Sequence, residues 1–129
     1  MVDHNFEALR HLTSPNPSTY VDWCTTVIFY MALHHIHAYL ADKKNMHPSS
    51  HTNLDSIISR DMKLKPIYNK YRHLKDDSED ARYEGKILSI YQLRQTVLKF
   101  YSEIEKSIFQ LLNLKNRPQY DLYLLFPLN

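Results

Sequence analysis

Histidine is the residue type here with the most chemistry in it. Eight of the 129 residues are His, and imidazole takes up or releases a proton near neutrality and ligates metals. Three of the eight, His34, His35 and His37, fall within WCTTVIFYMALHHIHAYLA, a run from Trp23 to Ala41 without Asp, Glu, Lys or Arg. On a helix turning about 100° per residue, His34 and His37 share a direction and His35 points elsewhere. Two imidazoles in one direction are half of a zinc site, and a third ligand such as His47, His51 or a carboxylate can join them only through tertiary folding. The HExxH spacing that makes a helical zinc site specific is missing. His34 and His37 therefore read as lining residues hydrogen-bonded to tyrosines or waters, and neither a metal nor a cofactor is expected.

His47 and His51 bracket the loop HPSSH ahead of a helix, where free backbone N–H groups attract anions such as phosphate. The alternative is a pair of solvated loop histidines with Ser49 and Ser50 serving as caps. Between Arg60 and Lys75 six basic residues, Arg72 among them, stand against Asp61 alone, with Tyr68, Tyr71 and His73 interleaved. Cations with aromatic neighbours are what phosphate contact and base stacking require. Five acidic residues follow between Asp76 and Glu84 with Arg82 among them, so the two patches can equally pair with one another within the helix or between subunits. No nucleophile stands out: Cys24 lies inside the apolar run and no serine sits in a nucleophile elbow.

The elements that must position these residues are helices. A single glycine, Gly85, leaves no supply of positive-φ residues for hairpins and removes the P-loop and the dinucleotide fingerprint. A net charge of +2 gives no global nucleic-acid footprint. One cysteine excludes an intrachain disulfide and a Cys-rich zinc cage, and suits a reducing cytoplasmic setting. MVDHNFEALRHL at the start has no apolar h-region, so no secretory signal is expected. The uncharged run is long enough to cross a bilayer, but three His, two Thr and two Tyr within it make insertion costly, and no membrane span is expected.

In chain order, a short outer helix over residues 3 to 12 precedes the turn TSPNPST, in which Ser18 or Thr19 can cap the central helix. That helix runs from near Tyr20 to Lys43 or Lys44 and is apolar on nearly every side, so the rest should enclose it. Thr52 and Asp55 loosely match a capping box for a third helix bearing Leu54, Ile57 and Ile58. Pro66 opens a fourth, with Leu64, Ile67, Tyr71, Leu74, Ser78 and Ala81 facing inward and Gly85 at its end. Ser89 caps the longest helix, whose apolar face runs from Ile90 through Val97, Tyr101 and Ile104 to Leu112. KNRPQYDLYLLFPLN should be an extended apolar tail, with a trace of strand from Tyr120 to Phe126. The whole is one all-α domain over residues 1 to 129, a four- to five-helix bundle with its core at about 20 to 113 and the tail at 114 to 129. The tail must cover its own bundle or a second copy, and a twofold homodimer is expected.

The stretch DWCTTVIFYMALHHIHAYLA, the HPSSH loop, IYNKYRHLKDDSEDARY from Ile67 to Tyr83, and the LSIYQL entry to the last helix together resemble a subgroup of the HEPN superfamily, named for higher eukaryotes and prokaryotes nucleotide-binding. The resemblance covers about residues 20 to 112. It implies a helical bundle, frequent homodimers, and RNA cleavage, RNA binding or pairing with a nucleotidyltransferase in toxin-antitoxin and defence systems. Ribonuclease members carry an Arg followed four to six residues later by His, and no Arg of this chain has that spacing. The residues that match the subgroup pattern are His47, His51, Tyr71, Ser78, Arg82 and Tyr83. With Arg72 from the basic run, they form the expected ligand-binding set of a non-catalytic RNA-, nucleotide- or partner-binding module. One alternative is a metal-independent ribonuclease using His47 or His51 with Arg82 as acid–base and phosphate-holding groups. Another is a structural or partner-binding subunit without a ligand.

Overall fold

The computed structural model describes residues 2–14, 20–114 and 120–128, the side chains of residues 51 and 52 excepted. It is all-helical over these residues. Helices α1 (Val2–Leu12), α2 (Val21–Lys44), α3 (His51–Arg60) and α4 (Tyr68–Tyr83) are followed by a long last helix built from Ile90–Leu93, a π turn Arg94–Leu98, and Lys99–Leu111.

Helix α2 is the axis of the bundle. Cys24, Ile28, Phe29, Met31, Ala32, Ile36 and Leu40 are buried beneath α1, α4 and the last helix, and the Phe29 ring meets Tyr71 of α4 at 5.9 Å. The enclosure is not complete. The stripe of Val27, Tyr30, His34 and His37 is only half-buried, and Trp23 at its head is 57% exposed. The residues of that stripe that bear polar tips (Trp, Tyr and His) explain the departure, because such side chains sit well with an apolar body inside and a polar edge in water.

The helix ends follow local chemistry. Asn45 takes a left-handed conformation (φ 49°) to stop α2, and Gly85 does so past the end of α4 (φ 65°). Ser89 and Gln92 form a reciprocal capping box at the last helix, with bonds of 3.1 and 3.0 Å. Tyr20 precedes α2 without a side-chain cap; the caps expected at Ser18 and Thr19 lie outside the described residues. At α3 the cap is Ser50, whose Oγ accepts from Asn53 N–H at 3.2 Å, rather than Thr52. The helix starts two residues earlier than the Thr52–Asp55 pairing requires, and Asp55 is thereby freed to turn toward α4. Pro66 sits in a 3-10 turn, Lys65–Ile67, that leads into α4, and all six inward residues of that segment are buried.

Among its described residues the tail forms no strand. Leu122–Leu125 forms a 3-10 turn, initiated by Asp121 accepting from Tyr123 N–H, and Leu122 and Phe126 are buried within their own chain. Arg94, the first residue of the π turn, donates from Nη1 to the carbonyls of Tyr123 (3.0 Å) and Phe126 (2.9 Å) and lies 4.9 Å over the Tyr123 ring. Part of the apolar strip is thus covered within its own chain, while Leu124 and Leu128 stay exposed.

Truncating Phe29 or Phe126 to Ala should each cost about 3 to 5 kcal/mol in urea denaturation, by emptying packed volume. A change at Phe126 within about 0.5 kcal/mol, as at an ordinary surface site, would mean that the tail does not dock.

Candidate functional site

The half-exposed stripe of α2 brings His34 and His37 to a cavity of about 450 Å³, and the loop after α2 adds His47. His35 forms part of the wall beside them, with Asp3 of α1 and Phe109 of the last helix. Four imidazoles from two separate segments therefore share one cavity. Among the described residues, no three His, Cys, Asp or Glu side chains stand close enough to hold a metal ion. Burial lowers the His34 pKa from its ordinary 6.5, with the positive charge of neighbouring His37 and His35 adding to the effect.

Behind the His35 wall lies a polar chain that hydropathy does not reveal. Glu105 is 1% exposed. Its Oε2 accepts from the Tyr101 hydroxyl at 2.9 Å and from Tyr120 N–H at 3.4 Å, and the His35 Nε2 stands 3.6 Å away. Since Tyr101 donates to the carboxylate, its oxygen must accept the 3.1 Å bond from His35 Nε2–H. Neutral His35 is thereby held as the Nε2–H tautomer, with Nδ1 left as its acceptor. A buried carboxylate is tolerated only with such donors around it. The one signal in the sequence is position: Glu105 follows inward-facing Tyr101 by four residues, one helical turn. The Tyr120 hydroxyl also bonds Asp3, and its ring stacks on Phe6 at 4.2 Å, which ties the cavity wall to the tail.

The other expected site residues lie elsewhere. Tyr71 is fully buried, and its hydroxyl donates to Asp55 Oδ1 at 2.9 Å, while Arg72 and Lys75 reach Asp55 Oδ2 at 2.8 and 2.7 Å. These three side chains clamp α3 to α4. Burial alone would raise the Asp55 carboxyl, but the bonds from Lys75 and Tyr71 and the charges of Lys75 and Arg72 outweigh it and hold the pKa below the usual range. The Tyr71 phenol is pushed up, by burial first and the Asp55 charge second. Lys70 pairs with Glu103 at 3.3 Å, so much of the basic run is engaged internally. Ser78 is buried and accepts from Arg82 Nη1 at 2.9 Å; the same nitrogen reaches the Tyr30 hydroxyl at 3.4 Å. Tyr83 is 77% exposed, with the Arg82 guanidinium 5.4 Å from its ring. The His51 side chain lies outside the described residues.

His47 and Arg82 therefore do not share a cleft. Arg82 reaches Tyr30, whereas His47 shares its cavity with His37, and seven residues of α2 separate those two levels by about 10 Å. An acid–base unit of His47 with Arg82 is not assembled in this chain.

Asp55→Ala should cost about 3 kcal/mol at neutral pH by leaving Lys75 and Tyr71 without their acceptor. The cost should shrink as pH falls below the ordinary carboxylate value of 3.8, because the depressed pKa contributes stability above that value and loses it in acid. His34 has the opposite sign. Its lowered pKa means that the unfolded chain binds the proton more readily as pH falls through 6.5, so the histidine costs stability on the acid side. Thermal denaturation of His34→Gln should show a shallower decline between about pH 7 and pH 5 than the parent chain. In comparisons with known proteins, the chain matches no family model, no curated protein and no solved structure.

Proposed function

We propose that this chain is a non-catalytic, HEPN-like helical module that binds a nucleotide or an RNA terminus by receiving phosphate in the histidine cavity. The observation that carries this reading is the meeting of His34 and His37 of α2 with His47 of the following loop on one cavity. A protonated imidazole supplies charge-assisted donors to phosphate oxygens, and the charge of a bound phosphate would favour the protonation that burial opposes at His34. The volume falls within the range of small-molecule sites, and Phe109 with Leu112 and Leu114 offers an apolar wall for a base. The ribonuclease alternative draws no support from Arg82, which stands at another level of α2.

The test is calorimetric titration with adenosine monophosphate and a short oligouridylate at about pH 6 and about pH 7.5, which straddle the histidine range. Binding should tighten toward the lower pH and weaken about tenfold in the His37→Gln/His47→Gln double variant, the equivalent of roughly one charge-assisted hydrogen bond. The oligonucleotide should remain uncut. Absence of binding up to about 1 mM, where affinity is only about 4 kcal/mol, would overturn the reading, as would affinity unchanged in the double variant. Cleavage would move the chain to the ribonuclease class.

A further inference from the structure

One wall of the histidine cavity calls for a different chemical group from the rest. His35 lines the cavity and is 5% exposed. Its Nε2–H is committed to the Tyr101 hydroxyl at 3.1 Å, and Tyr101 in turn donates to Glu105 at 2.9 Å. Nδ1 is left as a lone pair, and no hydrogen bond reaches it among the described residues. A phosphate oxygen cannot use such an atom, since both accept; a hydroxyl or an N–H can. Position then decides between ligand groups. His35 follows His34 by one residue, about 100° round α2, and its ring meets that of Phe109 edge-on at 5.4 Å. It stands between the imidazoles that would hold phosphate and the apolar wall that would hold a base. In a nucleotide the group between phosphate and base is the sugar. Asp3 lines the same cavity and is tied to the Glu105 network through Tyr120, whose hydroxyl bonds Asp3 and whose N–H bonds Glu105. A carboxylate repels phosphate and accepts from hydroxyls, so it too favours the sugar at this wall.

We propose that the cavity selects a ribonucleotide, with His35 Nδ1 accepting a hydrogen bond from one of the vicinal 2′ and 3′ hydroxyls of the ribose. The inference rests on the phosphate reading of the cavity and adds to it a choice of sugar. Tyr101 and Glu105 act as positioning residues, because they fix which ring nitrogen of His35 carries the proton. A ligand that fills the cavity without a hydroxyl strips water from Nδ1 and puts nothing in its place. That is how a site built around a hydrogen bond rejects an analogue lacking the matching group.

The test compares adenosine monophosphate with its 2′,3′-dideoxy analogue by calorimetric titration at about pH 7. The dideoxy compound should bind the parent chain about tenfold or more weakly. In His35→Phe, which keeps a ring against Phe109 and removes the acceptor, the two affinities should become equal. Nitrogen NMR of the parent chain should show His35 as the Nε2–H tautomer, with the Nδ1 resonance moving on binding adenosine monophosphate and not on binding the dideoxy compound at equal occupancy. The parent-chain titrations and spectra decide the matter even where the variant fails to fold. Equal affinities in the parent chain overturn the inference, and they leave the phosphate reading standing where both still weaken in the His37→Gln/His47→Gln double variant. Absence of binding by either compound up to about 1 mM overturns both readings. A protonated Nδ1 in the complex, or discrimination undiminished in a folded His35→Phe chain, overturns the role given to His35.

Discussion

A helix without a charge from Trp23 to Ala41 cannot stand alone in water, and that constraint organises the molecule. Cys24, Ile28, Phe29, Met31, Ile36 and Leu40 point in several directions around α2, so no single neighbour can cover them. Helices α1 and α4 and the last helix each take a side. What they leave is the stripe from Trp23 to His37, which tolerates exposure because its rings have polar edges. The histidine cavity opens on that stripe. The surface available for binding is in this sense a residue of the packing problem: it lies where the cover ends.

Two carboxylates then fix how the covering helices sit. Asp55 draws Tyr71, Arg72 and Lys75 to α3, and Glu105, with Tyr101 one turn before it, draws His35 and the backbone of Tyr120 to the last helix. Apolar contact is non-directional and leaves neighbouring helices some freedom to slide or rotate, whereas a buried carboxylate demands donors at particular positions. Asp55 thereby specifies the seating of α3 on α4, and Glu105 specifies the tautomer of His35 at the cavity wall.

The inward faces of α2, α4 and the last helix were legible because apolar residues recur at helical spacing and the caps at Ser89 and Gly85 obey local rules. The site was less so. His34 and His37 could be placed on one face, but their meeting with His47 depends on how the loop after α2 turns back. Glu105 escaped notice because a charge is read as surface unless its buried partners are known. The tail's seat depends on Arg94 standing at a π turn, a departure from regular period that hydrophobic spacing does not encode. Tyr71 and Arg72 had the composition of a ligand site and serve instead as tethers, since side-chain type alone does not distinguish a bond to a ligand from a bond to Asp55.

Tyr120 joins elements from opposite ends of the described chain: its ring stacks on Phe6, its hydroxyl bonds Asp3 and its N–H bonds Glu105. Contacts of such sequence separation close the largest loop and are disfavoured early in folding. The contacts of α2 with α1 and α4 assemble from nearer neighbours, whereas the bonds of Tyr120 to α1 and to the last helix form only once the tail is in place. The tail is the natural candidate for the first cooperative unit to open under native conditions. In amide exchange, residues 120–128 should lose protection ahead of α2, and each such opening would take the Tyr120 N–H away from Glu105 while the centre of the bundle stays folded.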